Sequence, residues 1–340
     1  MTRQVLPLSL RFRDRWLDWT IRIVGLLVIG ALAFLAYTVW QGEREKRQGS
    51  IASRAIENLE AAVRADPDNP DARVLLGDAY RDTGQYADAV KQYDAALELD
   101  ADHPVALSGL GLVAMEQEEW RTAEGYWTRA IEVLQKNEFA AQDRRLEKAY
   151  YYYGLVLIQL SEYEDAVAYL REAIRVRRDD ADTHYALSVA YRELGSTANQ
   201  RKSLEAALAF VPSMPEANYD LGLLLLAEGD EAGAAELFRR SADNAPGRPE
   251  PLAELEKLGP FEERMAQATS LLSTDPAAAL LEARVAISLE PTSVDAARMV
   301  ARLLQQISTP EEATLGWERV LELVPDDPEA TEALKALGDA

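Results

Sequence analysis

The chain has 340 residues, with 58 acidic against 36 basic side chains, a formal net charge of −22 and no cysteine. The missing cysteine excludes disulfides, thiolate nucleophiles and cysteine-based zinc sites. So large an acidic surplus argues against a nucleic-acid partner, whose phosphates need Lys and Arg to replace counterions.

Residues 1–22 set five Arg against Asp14 and Asp18, a local +3, and read as a basic cytoplasmic tail. Ile23 to Trp40 carries no charge (IVGLLVIGALAFLAYTVW). As a helix it would span about 27 Å, close to the roughly 30 Å hydrocarbon core of a bilayer. Trp19, Tyr37 and Trp40 stand where interfacial aromatics belong. Ala31 and Ala33 could mimic a signal-peptidase site, but cleavage there would leave an apolar terminus running on to Trp40. Residues 23–40 are therefore expected to be a transmembrane helix in contact with the lipid bilayer. Five basic residues precede it and three follow closely. That bias predicts an inside N-terminus, with the rest of the chain on the outer (periplasmic or extracellular) face of a bacterial cytoplasmic membrane.

Residues 41–69 read as a linker and a capping helix. Ala55, Leu59, Ala62 and Val63 keep helical spacing, and Asp66-Pro67-Asp68-Asn69-Pro70 ends one helix and begins the next. Asn69 or Asp68 is suited to cap, and Pro70 suits a first turn. From residue 70 to 248 the chain repeats itself. Gly77, Gly111, Gly154, Ser188 and Gly222 are spaced by 34, 43, 34 and 34 residues. In the same phase come Ala89, Ala123, Ala166, Gln200 and Ala234, then Tyr93, Trp127, Leu170, Leu204 and Phe238. Small residues let two helices approach, and bulky ones fill the space beside that contact. Five units start at Pro70, Pro104, Glu147, Ala181 and Pro215, and the nine extra residues, 138–146, predict longer helices or a bulge. Residues 249–259 read as a connecting segment. Two degenerate units follow at 260–327, with Gln267 and Ser270 at the usual small and large first-helix positions, and 328–340 reads as a capping helix.

This pattern resembles the tetratricopeptide repeat, a helix-turn-helix unit of 34 residues. The resemblance implies an all-α, right-handed superhelical solenoid of helical hairpins, here preceded by one transmembrane helix. It also implies a groove lined by fixed first-helix positions. In the third unit these include Tyr151, Leu155 and Ile158; in the fourth Tyr185, Val189 and Arg192; in the fifth Tyr219, Leu223 and Leu226. The first unit would present Asp71, Val74 and Asp78 instead. Tyr151, Tyr185 and Tyr219 should form a ladder that accepts a helix or extended segment of a protein partner, a membrane or envelope protein. If the rings point into that groove, replacing Tyr185 should spare the fold. Family members that clamp a C-terminal carboxylate use Lys and Asn where this chain has Val74 and Asp78, which speaks against that mode.

Catalysis has little support in the residues. His103 and His184 are far apart in sequence with no paired metal-ligand motif, and no Gly-rich phosphate loop or calcium loop occurs. No cofactor, metal or small-molecule substrate is expected. The expected function is a non-enzymatic, membrane-anchored scaffold or assembly factor. The alternatives are a permanent accessory subunit of a membrane complex and, less favoured, a regulatory module of an enzyme.

Overall fold

The structure, a computed structural model, describes residues 51–338 together with Phe34, Tyr37, Thr38, Trp40 and Gln41. The expected basic tail and nearly all of the Ile23–Trp40 segment lie outside the described residues. Among the described residues, no helix is long and apolar enough to cross a membrane, and every regular element is helical.

The described residues form two compact units that divide after Val113. The first holds α1 (51–65), α2 (Pro70–Asp82), α3 (Tyr86–Leu99) and the start of α4 (Pro104–Glu116). The second holds α5 (Trp120–Gln135), a 3-10 turn (Ala140–Gln142), α6 (Arg144–Gln159), α7 (Tyr163–Val176), α8 (Ala181–Glu193) and α9 (Thr197–Phe210). It continues with α10 (Pro215–Ala227), α11 (Glu231–Asn244), α12 (Glu250–Lys257), α13 (Phe261–Leu271), α14 (Pro276–Leu289), α15 (Val294–Ile307), α16 (Pro310–Leu323) and α17 (Pro328–Gly338).

Local chemistry starts these helices. Asn69 caps α2 by accepting from the Ala72 N–H, with Pro70 in the first turn. Asp143, Asp180, Asp230, Asp275, Ser293 and Thr309 cap α6, α8, α11, α14, α15 and α16 in the same way. Such caps are each worth about 1 kcal/mol, because they satisfy amides the helix itself cannot. The histidine before α4 does the same work: His103 Nδ1 accepts from the Ala106 N–H at 3.2 Å, so Nε2 carries the proton and donates to Asp71 at 3.1 Å.

Packing follows one rule along the second helices. α3 buries Ala89, Tyr93 and Ala96; α5 Ala123, Trp127 and Ala130; α7 Ala166, Leu170 and Ala173. α9 buries Gln200, Leu204 and Ala207, and α11 buries Ala234, Phe238 and Ser241. The pattern persists as Ala279, Ala283 and Ala286 on α14 and Ala313, Trp317 and Val320 on α16. Each triple is one stripe, with small residues flanking the central position except at Gln200 and Val320, and that central position is bulky everywhere except on α14. Burying each bulky side chain contributes about 1.5–3 kcal/mol.

The inner turns carry a feature the residue types conceal. Gly84, Glu118, Ser161, Gly195 and Gly229 occupy one repeat position, and all have positive φ, from 59° to 88°. Glycine adopts that conformation without a Cβ penalty; Glu118 and Ser161 do not.

Three readings need refinement. The nine-residue excess is absorbed by extending α5 and α6 to 16 residues each around the 3-10 turn. The connecting segment contains a helix, α12, whose Leu255 is 2% exposed and joins Phe238 and Val285 in one core cluster. In the first degenerate unit the phase is one residue later than expected: α13 starts at Phe261, and Ala268, not Gln267, is the fully buried small residue. Gln267 and Ser270 are exposed.

Candidate functional site

The face implied by the tyrosine ladder is formed by α6, α8 and α10, all in the second unit. On α6 the apolar positions divide into two sets. Leu146, Ala149, Tyr150, Tyr153, Gly154, Val156 and Leu157 are buried, whereas Tyr151, Leu155 and Ile158 are half-buried. On α8, Tyr185 and Val189 are half-buried and Arg192 is exposed. On α10, Tyr219 and Leu226 are half-buried and Leu223 is 37% exposed. None of the nine residues is buried, so the three helices turn a partly apolar face outward. In the first unit the corresponding position is closed, since Val74 is only 4% exposed and is part of the core.

Each tyrosine has one edge in the core. Tyr151, Leu155 and Ile158 pack against Leu170 of their own hairpin and Ala186 and Leu187 of the next. Tyr185 packs against Leu204, Ala207, Ala217 and Leu221. Tyr219 and Leu226 pack on the cluster containing Ala235, Phe238 and Leu255, with the Tyr219 and Phe238 rings 5.8 Å apart. These contacts bear on the expectation that replacing Tyr185 spares the fold. Its ring cements two hairpins, and its hydroxyl donates to Asp220 Oδ2 at 3.2 Å.

Asp220 is the residue that sequence reasoning missed. It lies on α10 between Tyr219 and Leu221, is 9% exposed, and also accepts from Arg192 at 3.3 Å. Burial pushes its carboxyl above the usual range, although Arg192 and the Tyr185 hydroxyl pull the other way. Burial likewise raises the Tyr185 phenol, assisted by Asp220, and raises Tyr151 to about 12. Both rings therefore stay neutral at physiological pH and present a hydroxyl on an apolar body. Arg248 lies 6.0 Å over the Tyr219 ring while pairing with Glu216 at 3.1 Å, which holds the last rung of the ladder in place. At the other end Tyr152 extends the aromatic surface, 5.2 Å from Tyr151 and stacked at 5.2 Å on Trp127. The run Tyr150 to Tyr153 was the visible signal for it.

A second buried acid sits behind this face. Glu147 is 3% exposed, with Arg177 3.9 Å away, and its Oε2 has no hydrogen-bond partner among the described residues. Burial and Asp180 together raise its carboxyl. The two histidines are structural: His184 donates to the Arg178 carbonyl at 2.9 Å and stacks on Phe210. Among the described residues, no group of three or more His, Asp or Glu could hold a metal ion. Half-buried aromatics, neighbouring aliphatics and the Tyr185 hydroxyl held by Asp220 make this face partly apolar with a polar edge.

The chain is 24% identical over 156 residues to Superkiller protein 3 of Schizosaccharomyces pombe, a match covering 45% of this chain and 11% of that protein. It is 27% identical over 202 residues to Cellulose synthase operon protein C of Xanthomonas axonopodis pv. citri, covering 59% of this chain and 13% of the other. The chain thus spans only about a tenth of the length of these two relatives. The solved structure of YrrB, described as a TPR protein with an unusual peptide-binding site, superposes with a TM-score of 0.49 at 20% identity. That superposition covers 59% of this chain and 100% of YrrB. Family profiles described as tetratricopeptide repeat match residues 41–104, 153–215 and 201–249, and a second such profile matches 102–179. Together they run unbroken from residue 41 to 249, more than half of the 340 residues, and the chain belongs to the tetratricopeptide-repeat family.

Proposed function

We propose that this protein is a non-catalytic scaffold or assembly factor that holds a protein partner along the outward face of α6, α8 and α10. The observation that carries the reading is the ladder of Tyr151, Tyr185 and Tyr219, half-buried and pinned from behind, with Leu155, Val189 and Leu223 beside it. Preordered aromatics lose little side-chain entropy on binding, which is why such rings serve as anchors. Two of the relatives are, by their printed names, a BBSome complex member and an anaphase-promoting complex subunit. In the same reading, residues 23–40 anchor the chain in a bacterial cytoplasmic membrane, and the partner is a membrane or envelope protein.

The test uses photo-crosslinking residues placed at 155, 189 and 223 of the full chain in native membranes, with identification of the captured protein. One discrete partner is expected from all three positions. Val189→Glu or Leu223→Glu should weaken its capture by about tenfold or more, since a charge would be forced into a desolvated contact. Helicity and melting of both variants should stay near the parent, because neither residue is buried. Capture that survives both substitutions in folded protein moves the interface off this face.

A further inference from the structure

We propose a second binding site, on the opposite helices of the third and fourth hairpins, for an acidic protein segment carrying an apolar anchor. A cleft of about 710 Å³ lies between α7 and α9, with the side chain of His184 from α8 at its edge. Arg171, Arg175 and Arg178 line the α7 side, and the stack of His184 on Phe210 closes the α9 side. An adjoining cleft of about 460 Å³ shares Arg171 and His184 and adds Lys202. Ile174 supplies an apolar floor, and Phe210 leaves 47% of its surface in solvent.

The charge of this cleft is against the grain of the chain. At the repeat position of Arg171, the other second helices carry Asp94 on α3, Thr128 on α5, Glu205 on α9, Arg239 on α11, Arg284 on α14 and Glu318 on α16. At the position of Arg175 they carry no cation, but Glu98, Glu132, Ala209, Asp243, Ser288 and Glu322. The Arg239 guanidinium is already committed to the Ser288 and Leu289 carbonyls that end α14, at 2.6 and 3.0 Å. In the cleft, by contrast, the acid Glu172 is paired to Arg175, and among the described residues Arg171, Arg178 and Lys202 form no ion pair. Three exposed cations without anionic partners among the described residues sit around an apolar floor, in a protein of net charge −22. Concentrating cations in one concavity is costly by self-repulsion, and the cost is relieved when an anionic ligand enters. Guanidinium forks suit carboxylates in particular, and the exposed Phe210 ring offers a hydrophobic seat beside them.

The occupant therefore has the chemistry of a Glu- or Asp-rich segment with one aliphatic or aromatic side chain directed at Ile174 and Phe210. This site is independent of the tyrosine face, which lies on the first helices. The probe is a fluorescently labelled peptide of Glu and Asp with a central Phe, titrated against the detergent-solubilised full chain and read by anisotropy. Saturable binding is expected, weakening as ionic strength rises. Arg171→Glu with Arg175→Glu should weaken it by about tenfold or more, because the Arg171 contact becomes a repulsion and Glu172 loses the cation that neutralises it. Phe210→Ser should weaken it by a smaller factor, and Arg171→Lys with Arg175→Lys should restore most of the charge-reversed loss. Lys335→Glu, on α17, should change nothing. Because the substituted side chains are exposed, helicity should be unaltered, and circular dichroism checks that the variants are folded. Absence of saturable peptide binding to the parent overturns the proposal, as does equal binding by the charge-reversed variant. Tighter binding of a single-stranded oligonucleotide than of the peptide, lost in the same variant, also overturns it and reassigns the cleft to nucleic acid.

Discussion

The fifth hairpin, α10 with α11, and the last, α15 with α16, solve one packing problem in two ways. In the fifth, Gly222 on the first helix receives the Phe238 ring of the second; a methyl group at Gly222 would stand 2.7 Å from Phe238 Cε1. Gly77 with Tyr93 and Gly154 with Leu170 follow the same arrangement, with corresponding distances of 2.7 and 2.6 Å. In the last hairpin the first helix carries Ala301 at that position. The glycine has moved to the second helix as Gly316, beside the buried Trp317. A methyl there would meet Ala301 Cα at 3.0 Å, so here a backbone, not a ring, sets the limit. Close approach is what the unit needs. Which helix supplies the missing Cβ is free, provided a large side chain fills the space alongside.

The sharpest way to break this comparison is a pair of double-mutant cycles. Gly222→Ala should cost about 1–3 kcal/mol through overpacking. In a Phe238→Ala background that cost should largely vanish, giving a coupling energy of about 1 kcal/mol or more, since the obstruction is a side chain. Gly316→Ala should also lower the melting temperature. Ala301→Gly should not rescue it, because the obstructing Cα remains. Equal rescue in both hairpins would mean that the last one closes like the others.

Buried carboxylates give a second contrast, with opposite signs in pH. Asp220 is raised above its ordinary value of 3.8 by burial, so between 3.8 and the folded value the native state holds the extra proton. Its contribution therefore makes stability fall as pH rises through that window. Asp327, which caps α17, is held below 3.8 by the Ala330 N–H and by Arg298, its nearer guanidinium nitrogen at 2.5 Å. Its contribution is full above 3.8 and is lost as pH falls through the folded value. Urea midpoints measured across an acidic pH series should show Asp220→Asn removing a downward slope with pH and Asp327→Asn removing an upward one. Slopes of the same sign would contradict the assignment.

The smallest effect concerns the inner turns. The first five hairpins turn through a left-handed residue, whereas α15 and α16 are joined through Ser308 and Thr309 at negative φ. Ser161→Gly should stabilise the protein by about 0.5–1 kcal/mol, since it removes a Cβ penalty at φ 62°. Gly229→Ser should cost a similar amount, and neither change should touch the tyrosine face. Denaturant midpoints would resolve both.

Repetition made most of the helical pattern readable in the chain itself. Five small residues and five following large ones in phase require paired helices at close range, and Pro70 after Asn69 marks where one starts. Even so, a one-residue slip hid Ala268 behind Gln267, because without the glycine the phase rests on alanines that recur too often to fix it. Position in the repeat also distinguished outward Tyr151, Tyr185 and Tyr219 from buried Tyr150 and Tyr153, which composition alone could not do.

Tertiary structure decided what those outward residues rest on. That Tyr185 braces Asp220 depends on two side chains of different hairpins, brought within hydrogen-bond range only when the hairpins stack. The basic cleft arises in the same way. Arg171 and Arg175 on α7 and Arg178 in the turn after it are an ordinary run of charge until Phe210 and Lys202 arrive on the facing helix. Periodicity within a helix is a local property, set by 3.6 residues per turn. Charge and burial at a site are sums over neighbours distant in sequence, and those sums exist only once the chain has folded.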